Sequence, residues 1–287
     1  MKRIAFIGLL FCSGMTMAQS LTRKAVLTSN QQLEKVATMK INFGMEMMGQ
    51  TIDVSSDNNI TSLVAVKKVS DKGYDVATTV KHIISNTGAM GQNMSYDSDK
   101  PGDENSELGK ALKSGVNKTT NFSIDKKGFI TATDDTTTTD NVEEKMAGMA
   151  GGMINGLNAA QNKIGGTFEV IAPVPDKTLK VGDTWVDSTS DKDSKQVSNY
   201  KVVTIDGTTA TVALDGTLTR KGETEAQGMT INMDMKGKMT GEMQVEVATG
   251  IVKKRSMIMD GTGTMEIMGQ SVPFTMKMTM GETVGNK

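Results

Sequence analysis

The residue types that most often perform catalysis are scarce in this chain of 287 residues. It contains one histidine, His82, and one cysteine, Cys12. A Cys–His nucleophilic pair needs both groups in the folded domain, and a zinc site built from several histidines needs more than one. A Ser–His–Asp triad would have to use His82, yet the G-x-S-x-G turn is absent, as are the glycine motifs that bind phosphates and dinucleotides. We interpret His82 as a histidine at the edge of the core with a hydrogen-bond partner.

The carboxylates also lack a catalytic arrangement. They occur as neighbours in sequence, as in Asp134 and Asp135 or Glu143 and Glu144, whereas a glycosidase needs two carboxylates that face each other across a cleft. Aromatic residues make up only 4% of the chain, so a sugar cleft or a base-stacking surface has few platforms. The net charge of -1 leaves no basic surface to neutralise nucleic-acid phosphates. The sequence therefore predicts a protein that is not an enzyme, carries no cofactor and binds no nucleic acid.

The 24 methionines are the one unusual feature of the composition, and three interpretations of them stay open. Methionine is apolar and flexible, so these residues can be ordinary core. They can also form an adaptable sheet face that takes a hydrophobic ligand such as a lipid. In the third interpretation, Met-x-Met pairs on a strand present thioethers on one side to a soft metal, Cu(I) or Ag(I).

Each functional interpretation names its own residues. The ligand-binding interpretation places the ligand against Met233, Met235, Phe274, Met276 and Met278. The metal interpretation uses Met276, Met278 and Met280.

The first eighteen residues have the pattern of a signal peptide. Two basic residues precede a short apolar run at 4–12, and Thr16 and Ala18 are small residues at positions -3 and -1 before Gln19. We expect cleavage between Ala18 and Gln19 and export to the periplasm or the extracellular space. An uncleaved anchor and a lipid on Cys12 are the alternatives.

Apolar residues alternate with polar ones at period two, which is typical of strands with one buried face. The alternation is clearest near the C-terminus, where Met265 and Ile267 precede a Gly269–Gln270 pair and Val272 and Phe274 follow it. If Gly269–Gln270 is a two-residue turn with glycine first, Ile267 lies opposite Val272, and Met265 lies opposite Phe274.

Residues 46–52 repeat residues 266–272 almost one for one, with Gly49–Gln50 in the place of the turn, and a third Met-Gly-Gln occurs at 90–92. These repeats predict a mainly β protein of the α+β kind. We expect a curved antiparallel sheet or half-barrel built from hairpins, with one or two covering helices.

Two segments are predicted to be helical. Residues 104–115 form a short candidate, and residues 140–163 form a longer one, with Asp140 as its N-cap. The longer helix contains several glycines, so we expect it to act as a movable lid over the methionine face. After the signal peptide, 1–18, we predict a single β-rich domain, 19–287, with candidate halves 19–166 and 167–287 that meet near the proline-rich stretch 172–176.

The chain resembles an uncharacterised family of exported, Met-rich bacterial β-proteins known only as a domain of unknown function. The resemblance depends on the two Met-Gly-Gln hairpins, on residues 175–185 and on the terminal Met-x-Met-x-Met strand, and it covers most of residues 30–284. It implies no catalytic residue. At the level of fold, the pattern also looks like the half-barrels of periplasmic lipoprotein carriers.

Together these features predict an exported, non-enzymatic protein that binds a hydrophobic ligand or a protein partner of the cell envelope through the methionine face and does not span the membrane. Soft-metal binding and a purely structural role in the envelope are the alternatives.

Overall fold

The computed structural model describes residues 20–47, 49–89, 91–134, 163–190, 192–226, 229–267 and 269–287. The strands of this part of the chain are β1 Gln32–Met47, β2 Gln50–Val69, β3 Gly73–Ala89, β4 Gln92–Asp97, β5 Thr119–Asp125, β6 Ile130–Thr133, β7 Thr184–Ser190, β8 Ser194–Asp206, β9 Thr209–Ala226, β10 Met229–Glu246, β11 Val252–Ile267 and β12 Gln270–Asn286. The helix α1 spans Glu107–Leu112, and 3₁₀ turns at Asp103–Asn105 and Lys113–Gly115 flank it.

These strands form one antiparallel sheet of twelve strands, in the order β6-β5-β3-β2-β1-β12-β11-β10-β9-β8-β7, with β4 paired to β3. Because β1 pairs with both β2 and β12, the first and last strands join the two halves of the sheet. The sheet is curved and open. The predicted fold class, a mainly β protein with a curved antiparallel sheet, is confirmed.

The alternation in the sequence determines which side of the sheet is buried. Along β12, Phe274, Met276 and Met278 are buried, whereas Thr275 and Lys277 between them are exposed. We call the face that carries Met276 the inner face, and the face that carries Lys277 the outer face.

The predicted hairpins form, but their register differs from the prediction by two residues along the partner strand. Met265 lies opposite Val272, and Ile267 lies opposite Gln270, so Gly269 takes the second position of the two-residue turn and not the first. Its φ of 78° explains the difference, because type I′ and type II turns need a positive φ at the second position. A shift of two residues keeps every predicted apolar pair on one face.

The same turn occurs in all three Met-Gly-Gln repeats. Gly49, with a φ of 75°, and Gly91, with a φ of 78°, hold the second turn position in the β1–β2 and β3–β4 hairpins. The Met-Gly-Gln sequence therefore forms the same two-residue turn in three hairpins.

Of the two predicted helices, the structure shows the shorter one. Residues 104–115 fold as α1 with its flanking 3₁₀ turns, and the Ser106 hydroxyl caps α1 by accepting a hydrogen bond from the Gly109 backbone N–H at 2.9 Å. The predicted lid helix, 140–163, lies outside the described residues except for its last residue, Lys163.

Two segments outside the strands, 20–31 and 163–183, pack on the inner face at the end where β1 begins and β12 ends. Leu21 and Phe168 are fully buried there, and Leu21 forms a β-bridge with Leu179. The stretch 172–176 belongs to this packing, since Ala172 and Val174 are buried.

The buried apolar side chains form three clusters on the inner face. Two lie at this packed end and include side chains from both segments. The third lies toward the hairpin turns, and all of its described members come from strands. We call it the methionine cluster, and its buried members are Ile41, Phe43, Met45, Ile52, Leu218, Met235, Met239, Met257, Met259, Met265, Val272, Phe274, Met276 and Met278.

Candidate functional site

The five residues predicted to bind a hydrophobic ligand lie together. Met235, Phe274, Met276 and Met278 are buried members of the methionine cluster, and the partly buried Met233 packs against it. Their burial is deep, with Met278 only 1% exposed and Met276 4% exposed. The alternation of β10 and β12 brings residues separated by some 40 positions in sequence onto one surface.

Strand pairing also aligns methionines across neighbouring strands. Met278 on β12 lies opposite Met259 on β11, which in turn lies opposite Met239 on β10. One pair further along, Met280 lies between Met257 on β11 and Met39 on β1. Side chains directly opposite each other have Cβ atoms about 4.5–5.5 Å apart, so these thioethers are close neighbours.

Glycines on the inner face make room for the large side chains. A Cβ placed on Gly263 would lie 2.7 Å from Phe274 Cζ, and one placed on Gly261 would lie 3.5 Å from Met276 Cε. The ring of Phe274 also packs against Phe43 at a centroid distance of 5.1 Å. The cluster therefore combines flexible thioether side chains with backbone that they can approach closely.

Four charged side chains lie on the inner face beside the methionine cluster. They are Lys35 on β1, Arg255 on β11, Glu282 on β12 and Glu169 from segment 163–183, and we call them the charged row. Strand pairing sets Arg255 opposite Glu282, immediately next to the Met257–Met280 pair. The methionine surface thus ends in an ion pair.

One half of the charged row is hydrogen-bonded. The Lys35 ammonium donates to Glu169 Oε2, and the Thr78 hydroxyl donates to Glu169 Oε1 at 2.9 Å. Burial disfavours the charged form of Lys35, but the attraction of Glu169 and of Glu282 exceeds that effect, so the pKa of Lys35 is raised.

The other half lacks a hydrogen bond between its two members. Arg255 Nη1 lies 4.0 Å from Glu282 Oε2, too far for a hydrogen bond, although the two side chains are only 16% and 11% exposed. Glu282 Oε1 is buried and accepts no hydrogen bond. Buried carboxylate oxygens in native proteins normally have hydrogen-bond partners, so Glu282 Oε1 is an exception that needs an explanation.

Sequence reasoning missed the charged row, although a signal for it exists. Lys35, Arg255 and Glu282 occupy positions that the period-two alternation assigns to the buried face, in line with Met39, Met257 and Met280. A charge at an inward position on three adjacent strands marks a polar break in an apolar face.

The comparison with protein families classifies the chain. Residues 71–252 match the model of a family of unknown function, DUF6263. The chain belongs to this family. The predicted resemblance to an uncharacterised domain is therefore confirmed. The matched stretch spans β3 to β10, so it contains Met233, Met235 and Glu169, whereas Phe274 and Glu282 lie beyond it.

No curated protein matches the chain. Among solved structures, it is similar to an outer membrane channel from Pseudomonas putida F1, at 6% identity and a TM-score of 0.25, over 91% of this chain and 98% of that one. It is also similar to OccAB4 of Acinetobacter baumannii, at 7% identity and a TM-score of 0.23, over 91% of this chain and 99% of that one. With TM-scores this low, no property of these proteins transfers to this chain.

The outer face carries a groove of about 620 Å³, whose lining includes Asn42, Gly44, Asp53 and Lys277. Of the five predicted ligand-binding residues, only Met276 contributes to it. Because mainly polar side chains project from this face, the groove does not provide the surface that a hydrophobic ligand needs.

His82 has the hydrogen-bond partner that the sequence interpretation expected. Its Nε2 lies 2.8 Å from Asp97 Oδ1, and this hydrogen bond lowers the pKa of Asp97. A β-bulge opposite Thr61 and Ser62 changes the phase of β3, so His82 and Val76 face opposite sides of the sheet. The described part of the chain contains no group of three or more His, Cys, Asp or Glu residues that could hold a metal ion. Within that part, no helix has the length and apolar character needed to span a membrane.

Proposed function

We propose that this protein is an exported, non-enzymatic binding protein that holds the apolar part of a ligand, or of a partner in the cell envelope, against the methionine cluster. The observation that carries the proposal is that all five predicted residues meet in one cluster on the inner face of the sheet. Its described members all come from strands, unlike those of the two clusters at the packed end.

The chemistry of the cluster suits varied apolar ligands. Methionine side chains change rotamer easily and pack against shapes that branched side chains reject. Burying about 400 Å² of apolar surface at about 25 cal/mol per Å² gives about 10 kcal/mol before the costs of association, which is enough for micromolar binding.

The absence of enzymatic activity is supported by the residue inventory and by the position of its one histidine. His82 is bound to Asp97 on the β3–β4 side of the sheet, away from the methionine cluster. Export is supported by the sequence of residues 1–19, which lie outside the described residues.

Binding of an apolar fluorescent probe, N-phenyl-1-naphthylamine, tests the proposal. We expect the mature protein to bind it with micromolar affinity and Met276→Lys to weaken binding at least tenfold, because an ammonium in an apolar site is poorly solvated. Lys277→Met, the neighbouring residue on the outer face, is the matched control and leaves binding unchanged.

Circular dichroism of Met276→Lys shows whether the variant folds. If it does not, Met276→Gln replaces it, since the amide is uncharged and similar in length. Failure of the unmodified protein to bind the probe contradicts the proposal and leaves the methionines as ordinary core.

A second candidate function is soft-metal binding, which the alignment of Met280 between Met257 and Met39 favours. Three thioethers on three adjacent strands can present soft sulfur ligands to Cu(I). Competition with the chelator bathocuproine disulfonate under anaerobic conditions tests it. Replacement of Met276, Met278 and Met280 by leucine abolishes Cu(I) uptake if this function is correct, and absence of uptake by the unmodified protein excludes it.

A further inference from the structure

Beside the methionine cluster, the Arg255–Glu282 pair is mostly buried and makes no hydrogen bond between its two side chains. The guanidinium lies 4.0 Å from the nearest Glu282 oxygen, and Glu282 Oε1 has no hydrogen-bond partner. Arginine offers five N–H donors, and a carboxylate accepts several hydrogen bonds. A group that accepts from Arg255 and donates to Glu282 would satisfy both residues.

The charges of the row define the kind of group. Lys35 and Arg255 are positive, and Glu169 and Glu282 are negative, so the four charges cancel. Lys35 and Glu169 are already paired with each other. A purely anionic group would gain from Arg255 but be repelled by Glu282, and a purely cationic group would meet the reverse. A zwitterion places each of its charges beside the opposite one.

The row is also placed to receive the polar end of a molecule whose apolar end lies on the methionine cluster. Arg255 and Glu282 directly follow Met257 and Met280 along the inner face. Ala37 faces Glu282 from β1, and its side chain is short and not fully buried.

We propose that the Arg255–Glu282 pair binds the zwitterionic head group of an amphiphile, with the anionic group against Arg255 and an ammonium or hydroxyl donor against Glu282 Oε1. This inference rests on the proposed function, because the chain of the amphiphile lies on the methionine cluster. It adds the class of ligand, an acyl chain with a zwitterionic head, which the methionines alone do not specify.

Displacement of bound N-phenyl-1-naphthylamine by lysolipids with the same 14-carbon chain, below their micelle concentrations, tests the head-group preference. We expect the zwitterionic lysophosphatidylethanolamine to bind about tenfold more tightly than the anionic lysophosphatidylglycerol, the factor that one charge-assisted hydrogen bond supplies. Glycerophosphoethanolamine, which has the head group but no chain, does not displace the probe.

Substitutions in the pair change the preference in a known direction. Glu282→Gln leaves a net positive row, so the preference reverses in favour of the anionic lysolipid. The double variant Arg255→Met, Glu282→Met extends the methionine rows, leaves no unpaired buried charge from this pair, and binds the probe without discriminating between head groups. Asp260→Asn is the matched control, because Asp260 faces Lys277 on the outer face of the same two strands at 3.9 Å, and it leaves the preference unchanged.

The outcomes separate the two proposals. Probe binding without a head-group preference, or a preference that Glu282→Gln leaves unchanged, overturns the head-group proposal alone and indicates that water satisfies the pair. No probe binding by the unmodified protein overturns the proposed function and the head-group proposal with it.

Discussion

Met259 on β11 lies over Gly237 on β10, so that a Cβ added to Gly237 would be 3.3 Å from both Cγ and Sδ of Met259. The two residues are diagonal neighbours on the inner face, since Met259 pairs directly with Met239 and Gly237 with Gly261. The methionine cluster is therefore packed partly by methionine side chains that lie on bare backbone. Because these glycines have no side chain, the large side chain of a neighbouring residue fills the space above them.

This relationship predicts a graded series of glycine-to-alanine effects. Gly263→Ala should destabilise the protein most, by about 2–3 kcal/mol, because the new Cβ would lie 2.2 Å from the Asp234 carbonyl oxygen and 2.7 Å from the Phe274 ring. Gly237→Ala should cost about 1 kcal/mol, since the methionine it meets can move. Gly285→Ala meets nothing within 4 Å and should be neutral or slightly stabilising. Urea unfolding measures the series, and equal effects at all three sites would contradict the packing.

The hairpin turns predict a second effect on stability. Gly269→Val should cost about 1–2 kcal/mol, because a β-branched residue is strained at a φ of 78°. Thr279→Val, at an exposed outer-face position of β12, is the control and should change the unfolding midpoint little. A loss of stability as large in the control would show that the strain is not in the turn.

These hairpins show which features of the fold can be predicted from the sequence and which cannot. The alternation around Met265 and Phe274 predicts the faces correctly, because a period of two depends only on local geometry. The register depends on which turn position needs the positive φ, and a Gly-Gln pair is compatible with either choice. The charged row is harder to predict, since the pairing of Arg255 with Glu282 follows only from the correct register of the β11–β12 hairpin. The position of Lys35 beside them follows only when β1 is known to pair with β12.

The Lys35–Glu169 pair predicts a loss of stability at alkaline pH. The pKa of Lys35 is raised above its ordinary value of 10.5 in the folded state, so its stabilising contribution is complete below that value and is lost as the pH rises through the folded-state pKa. We expect the unfolding midpoint of the unmodified protein to fall more steeply above pH 10.5 than that of the double variant Lys35→Met, Glu169→Met. Parallel pH profiles would mean that the pair contributes nothing.

The N-terminal pattern predicts how the protein is processed. Material from the exported fraction should begin at Gln19, with or without cyclisation of that glutamine, because Thr16 and Ala18 satisfy the small-residue requirement of the cleavage site. Intact-mass measurement and N-terminal sequencing check this expectation. A retained Met1, or a mass that includes a lipid on Cys12, would contradict it.

Methionine oxidation provides a probe of both packing and binding. Met94 on β4 is 39% exposed, whereas Met278 is 1% exposed, and oxidation requires access of peroxide to the sulfur. Under mild peroxide treatment followed by peptide mass mapping, Met94 should oxidise first and Met278 much more slowly. Oxidation of Met278 as fast as Met94 would contradict the packing of the cluster.

If the cluster opens to admit an apolar ligand, saturation with N-phenyl-1-naphthylamine should slow the oxidation of Met276 and Met278 further and leave Met94 unchanged. A probe that binds elsewhere would leave all three rates as they were, because oxidation reports the opening of each site separately.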